Sequence, residues 1–163
     1  MEIRMEKKGL FTIAGVSVST TLEDTKTNST ISKLMNDFFE NRVSELAGIM
    51  SGKGGFGMFI DPPNYNPTTD EFQWIAGVEV NSHGELPEDF VRKTIPAHTY
   101  AVITYTGHVA GLGEAYNHFY QTWLPNSSYE LADSFGFEYT DESFKGTNAT
   151  DNVVELYFPV KKK

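Results

Sequence analysis

FGMFID at residues 56–61 and FGFEYT at residues 135–140 are two versions of one strand. Both open on Phe-Gly, and both sit at the same place in two successive runs of elements. FQWIAGVEV at 72–80 follows the first, and NVVELYFPV at 152–160 follows the second, one residue further along. Upstream of each lies a helix carrying two adjacent aromatic residues, Phe38-Phe39 in one case and Phe119-Tyr120 in the other. Upstream of each helix lies a β-branched strand, FTIAGVSVST at 11–20 and YAVITYT at 100–106. Shared element order predicts a tandem βαββ duplication, with one repeat at about 8–82 and the other at about 94–163, inside a single domain spanning 1–163. The class is α+β: one antiparallel sheet with two main helices packed on one face.

The helices are legible from their period. Ile31, Leu34, Met35, Phe38, Phe39, Val43 and Leu46 recur at helical spacing, with Ser29 or Thr30 placed to cap the start. Leu112, Ala115, Tyr116, Phe119 and Trp123 share one face of the second helix, which Pro125 stops. Thr21 to Ser29 reads as a polar connection, and LPEDFVRK at 86–93 as one short helix with Pro87 in its first turn. SGKGGFG at 51–57 reads as a glycine-rich break. It lacks the Gly, Lys, Ser/Thr order of a phosphate-binding loop.

Composition narrows the chemistry. The 163 residues carry a net charge of −9 and no cysteine. So acidic a chain lacks the basic face that direct nucleic-acid binding needs, and Lys161-Lys162-Lys163 reads as a terminal tail. Without cysteine there is no disulfide, no thiolate nucleophile and no thiolate metal site. His83, His98, His108 and His118 show no paired metal spacing, and no nucleophile-elbow motif is present, so no metal or cofactor is expected. The N-terminus lacks the apolar run of a signal peptide, and no stretch is long enough to span a bilayer. The expected location is the cytoplasm.

The duplication makes differences between the repeats informative. Phe59 in the first corresponds to Glu138 in the second, so a carboxylate replaces a ring in a strand otherwise flanked by Phe137 and Tyr139. Such an acid points either to solvent or into a cavity that uses it. If Glu138 points inward, Gly136 and Thr140 point inward with it, because side chains two apart share a face. In the last strand, Val154, Leu156 and Phe158 read as the side that meets the helices. Glu155 and Tyr157 then lie on the opposite side, expected together with the inward residues of the 135–140 strand. Glu155 as a solvent-exposed strand residue is the alternative. A carboxylate among aromatic rings suits a flat, apolar, cationic ligand, which the ring faces attract and the acid neutralises. The candidate ligand-contacting set is Glu138, Glu155, Tyr157, Thr140, Phe59, Tyr105 and Trp123.

The stretch IPAHTYAVITYTGHVAGLGEAYNHFYQTWLPNSSYEL, residues 95–131, resembles the second half of GyrI-like and bacterial activator effector-binding domains. Its I-P-A-x-x-Y-A-V opening and its W-L-P-x-S-x-Y-E carry the likeness, as do F-E-Y at 137–139, V-E-L-Y-F-P-V at 154–160 and G-V-E-V at 77–80. The resemblance implies the same duplicated fold, with a cleft between the halves that takes diverse, often cationic, drug-like molecules. It implies that Glu138 is the ligand-facing acid and that Glu155 and Tyr157 match the E-x-Y of the last strand. Two further roles follow from stand-alone members of the family. One is a cofactor-free hydrolase of cyclopropane-bearing DNA-alkylating compounds, with Glu138 as base and Tyr157 or Tyr105 as hydrogen-bond donor. The other is a gyrase-inhibitor-like protein acting on a protein partner. The 163 residues leave no room for the helix-turn-helix of the regulator members, and the oligomeric state is left open.

Overall fold

In the computed structural model, which describes residues 1–81, 83–146 and 148–163, the two repeats form one antiparallel sheet. The strands are β1 (Ile3–Lys8), β2 (Phe11–Thr20), β3 (Met50–Ile60), β4 (Phe72–Val80), β5 (Val91–Ile95), β6 (His98–Gly107), β7 (Tyr129–Leu131), β8 (Phe135–Thr140) and β9 (Asn152–Lys162). Their spatial order is β1-β6-β9-β8-β3-β4-β2-β5, with β7 added beside β9. That order reads the same from either end once the repeats are exchanged. The duplication is therefore built as a pseudo-twofold, with β3 and β8 at its centre. The expected end of the first repeat, residue 82, lies outside the described residues.

The two outermost strands are exchanged between repeats. β1, which precedes the first repeat, pairs with β6 of the second. β5, which precedes the second, pairs with β2 of the first. The short helix expected at 86–93 is not formed: Val91–Ile95 is strand, because its backbone groups complete the open edge of β2. Edge pairing outweighs local helical spacing here. The glycine-rich run is likewise strand for most of its length, with a register shift between Met50 and Gly55 absorbing the irregularity. The β3–β4 and β8–β9 hairpins also differ more than expected. Trp74 lies 15 positions beyond its partner Phe59, and Leu156 lies 18 beyond Glu138, so the second hairpin is three residues longer rather than one.

Thr21 to Ser29 is not a plain connection. It holds helix α1 (Leu22–Asn28), whose first turn is capped by the Thr21 hydroxyl accepting from the Asp24 N–H. Helix α2 (Thr30–Asp37) then runs into a π-helical turn at Phe38–Arg42 and a 3-10 turn at Val43–Leu46. Helix α3 (Leu112–Asn117) does the same, passing into a π-helical turn at His118–Trp123. Each widened turn carries the aromatic pair, and Phe38 and Phe119 are both fully buried beneath it.

The two faces of the sheet are packed differently. On the face away from the helices, one continuous core joins the repeats through Phe11, Phe56, Phe137, Tyr100 and Tyr157. Strands β2 and β8 are separated by β3 and β4, yet the Phe11 and Phe137 rings stand 5.6 Å apart. The sheet curls back on itself on this side. On the helix face the core is split in two. Phe38, Ala76 and Val78 pack under α2, while Phe119, Leu156 and Phe158 pack under α3, with the Phe119 and Phe158 rings stacked at 3.8 Å. The seam between these two cores runs over β3 and β8.

Candidate functional site

Pairing of β3 with β8 sets Gly57 opposite Glu138 and Phe59 opposite Gly136. The pseudo-twofold exchanges these two pairs, so each repeat contributes one glycine and one large side chain to the seam. Phe59 lies directly over Gly136, where any Cβ would collide with its ring. Above Gly57 the space is taken by Trp74 and Met35: a Cβ there would stand 2.5 Å from Trp74 Cζ2 and 3.1 Å from Met35 Cε. The two glycines lower the floor of the seam. At the equivalent positions of β3 and β8 the two halves differ in chemistry, a ring at Phe59 and a carboxylate at Glu138.

Glu138 is half-buried on the helix face. Tyr116 of α3 donates its hydroxyl to Glu138 Oε2 at 2.6 Å. The Tyr116 ring also meets Phe59 edge-on at 6.2 Å and Phe158 edge-on at 5.7 Å, which fixes the hydroxyl over the acid. Across the seam, Trp74 points its indole N–H at Met35 Sδ, 3.4 Å away, and Phe39 covers Gly55. Thr140 shares the face of Glu138, opposite Gly55. Loss of hydration pushes the Glu138 carboxyl up to about 7, against the lowering effect of the Tyr116 hydrogen bond. Burial and the adjacent carboxylate also raise the Tyr116 phenol well above its ordinary value. At neutral pH the phenol is thus a fixed donor and the acid is poised between its two forms.

Of the expected site residues, Glu138, Thr140 and Phe59 come together on this floor. Glu155 and Tyr157 do not join them. The register pairs Leu156 with Glu138, Tyr157 with Phe137 and Glu155 with Tyr139, so Glu155 and Tyr157 occupy the opposite face of the sheet. There Glu155 is held by Arg4, and the Tyr157 ring stacks on Phe137 at 4.6 Å. The assignment of faces within β9 is as expected; its grouping with the inward side of β8 is the error. Tyr105 is on the helix face, but its hydroxyl donates to the His108 carbonyl at 2.6 Å, latching the turn after β6. Trp123 is stacked between Phe119 at 5.6 Å and Tyr129 at 6.0 Å, closing the far side of the α3 core. Tyr116, Trp74 and Met35 were not singled out from the sequence. Tyr116 was visible only as one apolar position of a helical face, and nothing local marks its hydroxyl as the partner of Glu138.

Among the described residues no group of three His, Asp or Glu side chains is arranged to hold a metal, and no helix is long and apolar enough to cross a membrane. Two surface hollows lie elsewhere, one against α1 at Thr20, Asp24 and Glu71 and one against Arg4 and Thr104.

A twofold βαββ sheet whose helix-side cores part over β3 and β8 is the architecture of a small-molecule-binding domain. The chain belongs to the GyrI-like small molecule binding domain family, whose model matches residues 1–161. It is similar to the transcriptional regulator BrlR of Pseudomonas aeruginosa, at 29% identity over 160 residues. The match takes in 98% of this chain and 56% of BrlR, so the chain spans little more than half the regulator's length. In fold it is similar to SAV2435, solved bound to tetraphenylphosphonium, with a TM-score of 0.71 and 16% identity over 99% of this chain and 94% of that one. It is also similar to a putative transcription regulation protein from Staphylococcus aureus MU50, with a TM-score of 0.72 and 15% identity over 99% of both chains.

Proposed function

We propose that the chain binds apolar organic cations at the seam over Glu138, as a sequestering or sensing module for foreign small molecules. The observation that carries this reading is a half-buried carboxylate with one hydrogen-bond donor, Tyr116, in a wall of Phe59, Trp74 and Met35. An acid so placed loses hydration without gaining a basic partner, and a cation supplies what is missing. The rings contribute through their negative faces. Met35, an unbranched and polarizable side chain, lets the wall re-form around ligands of different outline. SAV2435, of the same fold, holds the lipophilic cation tetraphenylphosphonium, which supports the choice of ligand class. Calorimetric titration of tetraphenylphosphonium into wild type and Glu138→Gln tests it. Equal affinity for the two proteins would remove Glu138 from the site.

A second reading, hydrolysis of a strained cyclopropane conjugated to a carbonyl, draws support from the Tyr116–Glu138 pair. A carboxylate near neutrality can take a proton from water as the water oxygen bonds to the ring methylene. The breaking carbon–carbon bond passes its electrons to the carbonyl oxygen, which then takes the proton that Glu138 received from the water, while Tyr116 holds the acid in place. Tyr157 and Tyr105, the donors expected for this step, are engaged elsewhere. Incubation with a spirocyclopropane alkylating compound and mass spectrometry for the water adduct separates the readings. Adduct formation at the buffer rate leaves binding alone.

A further inference from the structure

Glu138 is not the only carboxylate on the seam. The row of β3 side chains on the helix face runs Gly57, Phe59 and, one step beyond the strand, Asp61. The Asp61 N–H donates to the Ser134 carbonyl at 2.9 Å, which ties this position to the approach to β8. Its carboxylate is half-buried, and among the described residues no hydrogen-bond donor or basic side chain meets it. Two phenols, one from each repeat, lie near enough to feel its charge. Tyr65 comes from the β3–β4 loop of the first repeat, its ring edge-on to Phe72 at 6.2 Å. Tyr120 comes from the π-helical turn of the second repeat, edge-on to Phe119 at 5.0 Å and to Phe158 at 5.5 Å. Burial raises both phenols, and the nearby charge of Asp61 raises them further. Tyr120 is 38% exposed, so its ring is accessible although its neighbour Phe119 is fully buried.

This arrangement repeats, at the mouth of the seam, the pattern of acid and rings found at its centre. Glu138 lies across from Gly57, and Asp61 is four residues farther along the same strand. A strand rises about 3.3 Å per residue, so the two carboxylates are separated by roughly 13 Å along the groove. We propose that Asp61, with Tyr65 and Tyr120, forms a second cation subsite, and that the preferred ligands are elongated aromatic dications with one charge at each carboxylate. The proposal rests on the reading of Glu138 as the first cation site.

The two acids are far enough apart to act on separate charges, and the linking surface between them is the ring of Phe59. A rigid aromatic linker lying on that ring brings its second charge to Asp61 without a fresh loss of translational freedom, the same economy that governs bivalent binding. The test uses bis-quaternary ammonium compounds on rigid aryl linkers of about 7, 12 and 17 Å charge spacing, bracketing the separation set by strand rise. Each is titrated beside its monocationic half against wild type, Asp61→Asn and Glu138→Gln. The 12 Å compound is expected to bind wild type at least about tenfold tighter than its monocationic half, as a second tethered contact requires. Asp61→Asn should erase that advantage and leave monocation affinity within about twofold, the range of a distant surface change. If the monocation binds in a Glu138-dependent way and the matched dication gains nothing, the subsite is overturned and the Glu138 reading stands. A dication advantage that survives Asp61→Asn overturns it equally. Monocation binding that ignores Glu138→Gln, or is absent from all three proteins, overturns both.

Discussion

The hydroxyl of Tyr116 and Oε2 of Glu138 are 2.6 Å apart, and this one contact ties a helix of the second repeat to the central strand pair. Among the described residues it also supplies the only counterweight to the desolvation of the acid. Tyr116→Phe removes that counterweight, so the Glu138 carboxyl should titrate higher still. Cation affinity at pH 7 should fall about 3- to 10-fold, the scale of an ordinary net hydrogen bond. Because the loss acts through protonation, most of it should be regained at pH 9. Titration calorimetry at the two pH values checks both parts.

Wild-type cation affinity should itself depend on pH. Only the ionised carboxylate attracts the ligand, and it ionises near 7 in the free protein. Affinity should be highest above pH 8 and should weaken by about tenfold per unit once pH is well below 7. In Glu138→Gln the profile should be flat. A wild-type profile that is level from pH 8 to pH 5.5 would contradict a titrating acid in the site.

Stability should run the other way. The carboxyl binds its proton more tightly in the folded chain, at about 7, than in the unfolded chain, near 4.5. Below 4.5 both states are protonated and nothing is lost. As pH rises from 4.5 through 7, the folded state gives up stability, up to the order of 3 kcal/mol for a shift of this size. Glu138→Gln cannot ionise, so it should melt higher than wild type at pH 8. The difference should vanish near pH 4.5. Thermal denaturation of both proteins at the two pH values measures it.

Gly57→Ala should damage the site without touching any polar group. Its Cβ would stand 2.5 Å from Trp74 Cζ2, pressing the indole against Met35 and into the seam. Trp74 is almost fully buried, so it has little room to yield. Overpacking of this kind costs about 1–3 kcal/mol, and cation affinity should drop with it. Denaturant unfolding and ligand titration on the same preparation report the two effects.

Tyr157→Phe should leave cation affinity unchanged. The ring stacks on Phe137 on the far face, and its hydroxyl makes a single long contact, 3.4 Å, to Glu6. A marked loss of affinity in this variant would mean that the ligand enters from the side opposite the helices.

Much of this protein could be read from its order of residues alone. Strands β2, β4 and β8 have the expected limits, because each is a β-branched or aromatic run bounded by polar or glycine-rich sequence. The repeat was legible because duplicated strands keep their Phe-Gly opening, and comparison of the copies isolated Glu138 against Phe59. Alternation then grouped Gly136, Glu138 and Thr140 on one face. What alternation cannot do is relate the faces of two different strands. A shift of one residue in pairing turns every side chain over, and only the formed ladder shows that Glu138 is matched with Leu156 rather than with Glu155 or Tyr157. The exchange of β1 and β5 between repeats was hidden for a similar reason. An edge strand is selected by the backbone groups it completes, which belong to residues 76 to 100 positions away. The Tyr116–Glu138 contact, 22 residues apart in the chain, exists only because α3 is laid across the sheet by its buried rings.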